Sequence, residues 1–479
     1  MILRPLGRVA WLGLVIGSLN LAQAQQPPNI LLIIGDDMGV ETLASYGLGD
    51  NPPKTAALDK LAREGLRFEN FWAQPVCSPT RATVITGRFG FRTGIGRPVG
   101  GGPLPEPPPK PAGAAAESRG APNAASPEDF ALPRPHLLLS EYTLPKALKE
   151  HADADYATAA IGKWHLAMPE NGWTDHPNTV GFDYFSGLMG GGPESYFAWN
   201  KVVNGEVAGT VGYTPTDKVD DAMAWLDEHG DEPWFLWLAF NLGHTPLHLP
   251  PADVWQSDYS DHDPQSVPEE HWVDYFNAMV EAMDTEIARL LDSLEPEVRE
   301  NTYVIFMGDN GTYDPVVSAP FRHGRAKGTI YEGGVNVPLI VSGPGIGRGG
   351  VSGALVNSTD LFATILEMAG VNPETAIPED VTTDSVSFMA SLADPAGPSE
   401  REWLYADEFF GGFDGVDGAD YAMRNARYKL LRFEGVEEFY DLEADPYEYD
   451  NLLAGELTTH ERAEFEALRE QIRLLRASE

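Results

Sequence analysis

Five stretches of the chain are apolar at nearly every position: "NILLII" (29–34), "YATAAIG" (156–162), "PWFLWLAF" (233–240), "TYVIFMG" (302–308) and "VPLIVSG" (337–343). A strand apolar at every residue, rather than at every second one, is buried on both faces. Between these runs the apolar residues recur three and four apart in 55–65, 143–151, 216–229 and 275–294, the helical period. Strands alternating with helices predict an α/β fold: a large, mostly parallel sheet sandwiched by helices. After about Pro378 the pattern shortens to "REWLYADEFF", "YAMRNARYKLLRF" and "EEFYDLEADP", followed by the helical "THERAEFEALREQIRLLRA". The expected division is a catalytic α/β domain over 27–378 and a smaller C-terminal antiparallel-sheet subdomain over 379–479. Residues 98–135 are rich in Pro, Gly and Ala and are expected to form an exposed insertion without fixed structure. No internal repeat is visible.

The first 24 residues carry Arg4 and Arg8, an apolar run from Val9 to Leu21, and small residues at Ala22 and Ala24. That is the layout of a cleaved signal peptide, so the mature chain is expected to be secreted or periplasmic. No later apolar run reaches the roughly 18 residues of a membrane span. With 72 acidic against 33 basic residues the formal charge is -39. Long-range attraction to nucleic acid or anionic membranes is thereby excluded, and an anionic substrate must be gripped locally. The single cysteine, Cys77, has no partner for an intramolecular disulfide.

Candidate chemistry collects at the ends of the apolar runs, where ligands of open parallel sheets bind. "IIGDDMG" delivers Asp36 and Asp37, and "FMGDNG" delivers Asp309 and Asn310. Each pair alone is ordinary turn chemistry. Together, at two buried strand ends, they form an all-oxygen set suited to a hard cation, Ca²⁺ rather than Zn²⁺. In "PVCSPTRATVITGR", Ser78 and Pro79 read as the N-cap and first residue of a helix, placing Cys77 just ahead of amides that favour an anion. Arg81, four residues on, shares that face. A lone cysteine is as readily an inert buried hydrophobe. A thiolate loop of the tyrosine-phosphatase kind does not fit, because "CSPTR" puts proline in the cradle and its arginine too early.

The strand period in "GKWHL" places Lys163 and His165 on one side of Trp164. "GHTPLH" supplies His244 and His248, and "FRHGRAKG" gathers Arg322, His323, Arg325 and Lys327. Trp173, Trp199, Trp255 and Trp272 suit either core packing or stacking on sugar rings.

"CSPTR" resembles the Cys-x-Pro-x-Arg signature of the formylglycine-dependent (type I) sulfatases of the alkaline-phosphatase superfamily. "GDDMG", "TGR", "GKWHL", "GHTPLH", "GDNG" and "KGTIYEGGVNVPLIV" follow, from Asn29 to about Leu453. The resemblance implies an alkaline-phosphatase-like fold and a Cys77 oxidised to formylglycine by a generating enzyme. It further implies one Ca²⁺ held by Asp36, Asp37, Asp309, Asn310 and residue 77. Arg81, Lys163 and Lys327 would neutralise the sulfate, and His244, a task shared with Lys163, would protonate the leaving oxygen. His165 would take the proton that releases sulfate from a sulfo-enzyme intermediate, while His248 is structural or rim. The implied reaction is hydrolysis of a sulfate ester, that of a sulfated carbohydrate. The alternatives are a phosphonate monoester or phosphodiester hydrolase of the same superfamily and a non-catalytic sulfoglycan-binding protein. Two positions depart from the family pattern, Ala167 after "GKWHL" and Asn336 before "VPLIV". The charge of -39 predicts exo-type action on small fragments; a preference for polymer would require a basic rim such as Arg92, Arg97, Arg322 and Arg325.

Overall fold

The computed structural model describes residues 26–118, 135–230 and 232–478. The expected signal peptide and residues 119–134 of the insertion lie outside them. The strands are β1 (Asn29–Gly35), β2 (Leu66–Trp72), β3 (Glu117–Ser118), β4 (Ala157–Lys163), β5 (Tyr184–Leu188), β6 (Ala198–Val203), β7 (Glu206–Val211), β8 (Trp234–Ala239), β9 (Leu247–His248), β10 (Thr302–Gly308), β11 (Leu339–Ser342), β12 (Gly350–Asn357), β13 (Leu404–Glu408), β14 (Asp420–Arg424), β15 (Tyr428–Phe433) and β16 (Val436–Asp441). A ten-stranded sheet runs in the order β12-β2-β11-β10-β1-β8-β4-β5-β6-β7. Its centre, β10-β1-β8-β4-β5, is parallel throughout.

The alternation of β1 explains the two layers. Ile30, Leu32 and Ile34 enter one core with the helices Cys77–Thr86, Leu144–His151 and Asp360–Met368. Leu31 and Ile33 enter the other with Ala56–Glu64, Thr214–His229 and Trp272–Ser293. Every residue of β1 is buried, as a doubly covered central strand requires.

The run at 337–343 does form a strand, but β11 is antiparallel to both β10 and β2, unlike the other four runs. Between β10 and β11 the chain makes only a 3-10 turn and the one-turn helix Glu332–Val335. The stretch 309–338 is thus not built as the helical crossover that usually returns a chain parallel, and it re-enters antiparallel.

The insertion differs from expectation as well. Residues 98–118 are pinned along the molecule rather than loose. Val99 N–H donates to Ser78 Oγ (2.9 Å), Pro103 O accepts from Trp173 Nε1 (3.2 Å), and Pro105 O accepts from Asn200 Nδ2 (2.7 Å). Ala116 N–H donates to Pro264 O (2.7 Å), and β3 pairs with β9. Prolines lack donors, but their carbonyls remain free to accept, and that is how this strap is held.

The four C-terminal strands form a separate antiparallel sheet, β13-β14-β15-β16. Leu404, Ala406, Leu431 and Tyr440 on one face meet Trp72, Ile330 and Val335 at the edge of the large sheet. Tyr405, Met423 and Phe439 on the other meet Phe465, Leu468 and Ile472 of the helix Thr459–Ala477. That helix begins with a reciprocal cap: Glu461 N–H donates to Thr458 Oγ1, and Thr458 N–H donates to Glu461 Oε2.

Candidate active site

In the parallel pair β1/β10, Gly35 lies opposite Gly308, so the next two residues of each strand, Asp36–Asp37 and Asp309–Asn310, emerge as neighbours. β8 and β4 end at the same level, Ile34 opposite Ala239 and Ala239 opposite Gly162. A Cβ at Gly162, where φ is +107, would sit 1.9 Å from Ala239 O. Only glycine therefore lets Lys163 leave its strand here. β4 ends at Lys163 and His165 takes a left-handed φ of +60, yet the expected split holds. Lys163 and His165 enter the site, while Trp164 packs away from it against Phe182 and Phe185. The loop carrying His244 is held by Asp36 N–H to Leu242 O (2.9 Å) and Gly243 N–H to Asp36 O (2.7 Å).

The helix that carries Cys77 spans Cys77–Thr86, with Val76 as N-cap. Ser78 and Pro79 therefore sit inside the first turn instead of opening it, because the helix starts two residues earlier than expected. Ser78 Oγ is engaged elsewhere: it donates to His165 O (2.8 Å) and accepts from Val99 N. Thr80 Oγ1 donates to Asp309 O (2.5 Å) and fastens the helix to the end of β10.

Cations and carboxylates interlock around residue 77. Lys163 Nζ lies 2.6 Å from Asp36 Oδ2, Lys327 Nζ 2.5 Å from Asp37 Oδ1, and Arg81 Nη2 2.7 Å from Asp309 Oδ2. Arg81 also donates to Lys163 O (2.7 Å), so its guanidinium is turned toward Asp309 and the lysine backbone. Asn310 Nδ2 donates to Asp37 Oδ1 (2.8 Å). Burial, with Asp309 adding to it, pushes the Asp36 carboxyl up against the pull of Lys163. Burial acts upward on Asp37 too, but Lys327, His244 and Lys163 outweigh it and hold that carboxyl below the ordinary range.

The donor chemistry fits a hard cation. Asp36 Oδ1 and Asn310 Oδ1 are buried without a hydrogen-bond partner, a costly state unless something else satisfies them. Ligand atoms of Asp36, Cys77 and Asp309 all lie within 4.8 Å of one another. An oxygen-rich cage of this kind suits Ca²⁺ or Mg²⁺.

Cys77 is 2% exposed, and burial pushes its thiol up, so it lacks the thiolate that a cysteine nucleophile needs. Its Sγ is 3.2 Å from His165 Nδ1, and His165 Nε2 is 2.9 Å from Val99 O. A donor on Nε2 leaves the Nδ1 lone pair facing residue 77. Burial, then Lys163 and Arg81, push His165 far down, keeping it neutral. His244 places Nδ1 2.8 Å from Thr245 O, and burial followed by Lys327 lowers it to about 3. His248, by contrast, is a core histidine packed among Tyr196, Phe197 and Tyr213.

Several participants carry no local motif. Lys218 reaches from the helix Thr214–His229 to donate to Asn241 Oδ1, and burial brings its ammonium down to about 7. Asn241 Nδ2 in turn donates to Gly191 O (3.3 Å), and its own carbonyl accepts from His244 N–H (2.8 Å). A Cβ on Gly191 would fall 2.7 Å from His165 Cε1. The signals in sequence were a polar residue directly after the apolar run of β8 and the triplet Gly190–Gly192.

Of the expected basic rim, Arg92 is buried against Asp384 (2.9 Å), and Arg97 lies over the Phe410 ring and pairs with Glu408. Pairing with acidic neighbours removes both from a chain-guiding role. Trp199 is buried, and the indoles of Trp255 and Trp272 donate to Pro250 O and Val267 O, so they hold loops. Ala167 is core, and Asn336 donates to Glu332, outside the catalytic cluster.

Glu41, just past the Asp36–Asp37 turn, is buried, and that burial raises its carboxyl from 4.5 to about 7 against the opposing effect of Thr312. A folded-state value above the unfolded one costs nothing below pH 4.5, and stability is lost as pH rises through 7. The shift corresponds to about 3 kcal/mol at most. Glu41→Gln should flatten the loss between pH 5 and pH 8, read by urea unfolding at both values; an unchanged pH dependence would count against a buried, protonated Glu41.

What converges at these strand ends is the equipment of a hydrolase that grips an anionic ester. The chain belongs to the sulfatase family: the Sulfatase profile matches residues 28–371, and the N-sulphoglucosamine sulphohydrolase C-terminal profile matches 323–477. It is 29% identical to N-acetylgalactosamine-6-sulfatase of Canis lupus familiaris over 413 residues, 78% of this chain and 68% of the relative. It is 27% identical to arylsulfatase G of Homo sapiens over 465 residues, 86% and 77% of the two chains. The fold is shared with the crystal structure of Ps i-CgsB in complex with k-i-k-neocarrahexaose, at a TM-score of 0.73 and 23% identity, covering 94% and 93% of the two chains. It is also shared with BT4656 in complex with D-Glucosamine-2-N, 6-O-disulfate, at 0.68 and 19%, covering 95% and 99%. The chain is a sulfuric ester hydrolase, and the phosphonate and phosphodiester alternatives are not favoured.

Proposed function

We propose that this enzyme, exported from the cell, removes single sulfate groups from the ends of sulfated carbohydrates, with residue 77 as formylglycine and one Ca²⁺ in the Asp36, Asp37, residue 77, Asp309 and Asn310 cage. Oxidised by a formylglycine-generating enzyme and hydrated, residue 77 supplies one hydroxyl to attack sulfur and a second that loses its proton and expels sulfate as the aldehyde re-forms; a cation held by the cage would supply the Lewis acidity that lowers the first hydroxyl's pKa.

The chain's own residues account for the rest. Lys163 and Lys327, now resting on Asp36 and Asp37, are placed to swing onto sulfate oxygens once a cation neutralises those carboxylates. Arg81 holds Asp309 in place and adds positive potential from beneath. His244 needs a proton before it can serve the leaving oxygen. An anionic sulfate beside it works in that direction, and Lys163 is the second donor within the site.

The observation that carries the reading is His165: neutral, with a lone pair 3.2 Å from the residue 77 side chain. It is the base that the second half-reaction needs. His165→Ala should give a burst of one alcohol equivalent per site followed by turnover slowed about 10²–10⁴-fold. A uniform loss without a burst would assign His165 elsewhere.

Chelation should abolish turnover, with Ca²⁺ restoring it and Zn²⁺ failing to. Activity that survives exhaustive chelation would remove the cation from the account.

End-on action is supported by access. Among the described residues of the site, His244, Lys327 and the Gly190–Gly192 turn are mostly buried with a small exposed part, 9% of the side chain for Lys327, while Asp36, Asp309 and Arg81 are fully buried. One sulfate fits such an opening better than the middle of a chain does. The names of the relatives, which speak of sulfated sugars, support the carbohydrate class. With a body charge of -39, kcat/KM at low salt should favour a sulfated disaccharide over its polymer by about tenfold, and the gap should narrow as salt screens repulsion. A preference for polymer at low salt would contradict end-on action.

A further inference from the structure

The loop that follows β9 turns back at His262 and runs into the helix Trp272–Ser293 through His271, with Asp274 in the first helical turn. His271 and Asp274 are three residues apart, so one helical turn brings them to the same side. His262 reaches the same point from the loop. His262 Nε2 lies 3.0 Å and His271 Nδ1 3.3 Å from the same oxygen, Asp274 Oδ2, and the three ligand atoms fall within 4.8 Å of one another.

Both distances to Asp274 Oδ2 are hydrogen-bond lengths, so the three groups already converge to nearly the spacing that a shared ion would need. An ion bonded at about 2.0–2.1 Å to tetrahedral N and O ligands holds them about 3.3–3.4 Å apart. The His262 ring is set in its plane by edge contacts with Tyr259, His271 and Tyr275, at 5.9, 5.1 and 5.5 Å between centroids. Packing of that kind orients a ligand before any ion arrives. His271 is exposed and the other two are half-buried, which leaves an outward position for water and a path for entry.

We propose that His262, His271 and Asp274 form a surface site for one transition-metal ion of the zinc class, separate from the catalytic centre. Two imidazoles and one carboxylate select Zn²⁺, Co²⁺ or Ni²⁺ over Ca²⁺, the reverse of the all-oxygen catalytic cage. The ion ties the loop to the helix. That loop lines, with Gly113 to Ala115 of the Pro-rich strap, a pocket of about 450 Å³ containing Phe197 and Trp255. Pro264 in the same loop accepts from Ala116 N–H, so the ion also steadies the strap.

The test uses tag-free full-length protein with Ca²⁺ in excess, titrated with Zn²⁺ by calorimetry. One zinc per chain is expected to bind, with a rise in the thermal midpoint. His271→Ala and Asp274→Asn should each weaken uptake by at least about 100-fold, since even an outer-shell partner is worth about 10–100-fold in metal affinity. Sulfate-ester turnover should stay within about twofold of wild type, which reports that the variants are folded. Zinc uptake that persists unchanged in His262→Ala/His271→Ala, or no uptake while Ca²⁺ is present, overturns the assignment.

Discussion

Cys77→Ala is expected to lower kcat on a sulfate ester by about 10⁴-fold or more while leaving the fold intact, since removing a covalent nucleophile costs several orders of magnitude. The side chain lost is small and touches His165 through a single contact, so the buried helix that carries it should keep its place. Circular dichroism and urea unfolding would establish that the variant is folded. Ca²⁺ affinity should fall only modestly, because the three carboxylates remain. Activity within tenfold of wild type would mean that residue 77 does not form the bond to sulfur.

Asp309→Ala should damage both stability and catalysis. The Arg81–Asp309 pair is fully buried, with a 2.7 Å contact. Deleting the carboxylate leaves a fully buried guanidinium without its ion-pair partner, a change worth about 3–5 kcal/mol. It also removes an oxygen from the cation cage, so turnover should be lost even where the protein remains folded. Urea unfolding in the presence of chelator isolates the first effect from the second. Pairing the change with Arg81→Met should recover part of the lost stability, because the stranded charge is then gone. A loss under about 1 kcal/mol, or a double variant no better than the single one, would show that this pair does not hold the strand end to the helix Cys77–Thr86.

The convergence of the candidate site residues was legible in sequence where they sit on central elements. β1 and β10 are apolar along most of their length because both faces are covered, and each stops at a glycine followed by its pair of oxygen-bearing residues, Asp36–Asp37 and Asp309–Asn310. β2, with the mixed pattern "LRFENFW", and β7, largely exposed, gave no such signal. Their environments differ from one residue to the next, so neither period stands out. Direction was hidden too: β11 has the composition of a parallel core strand, yet it runs antiparallel to β10, and the connection between them carries no long helix. The strap at 98–118 was misjudged from composition, since its order rests on carbonyls accepting from distant donors such as Trp173 and Asn200. Lys218 and Asn241 are 23 residues apart and meet only in the folded state.

The most direct test of the central claim is the mass of the tryptic peptide Phe68–Arg81 from fully active enzyme purified from an exporting host. Residue 77 should have exchanged its thiol for an aldehyde, and an amine or hydrazide probe should label that peptide in proportion to activity. Full activity in protein whose peptide carries only the unmodified cysteine would contradict the mechanism.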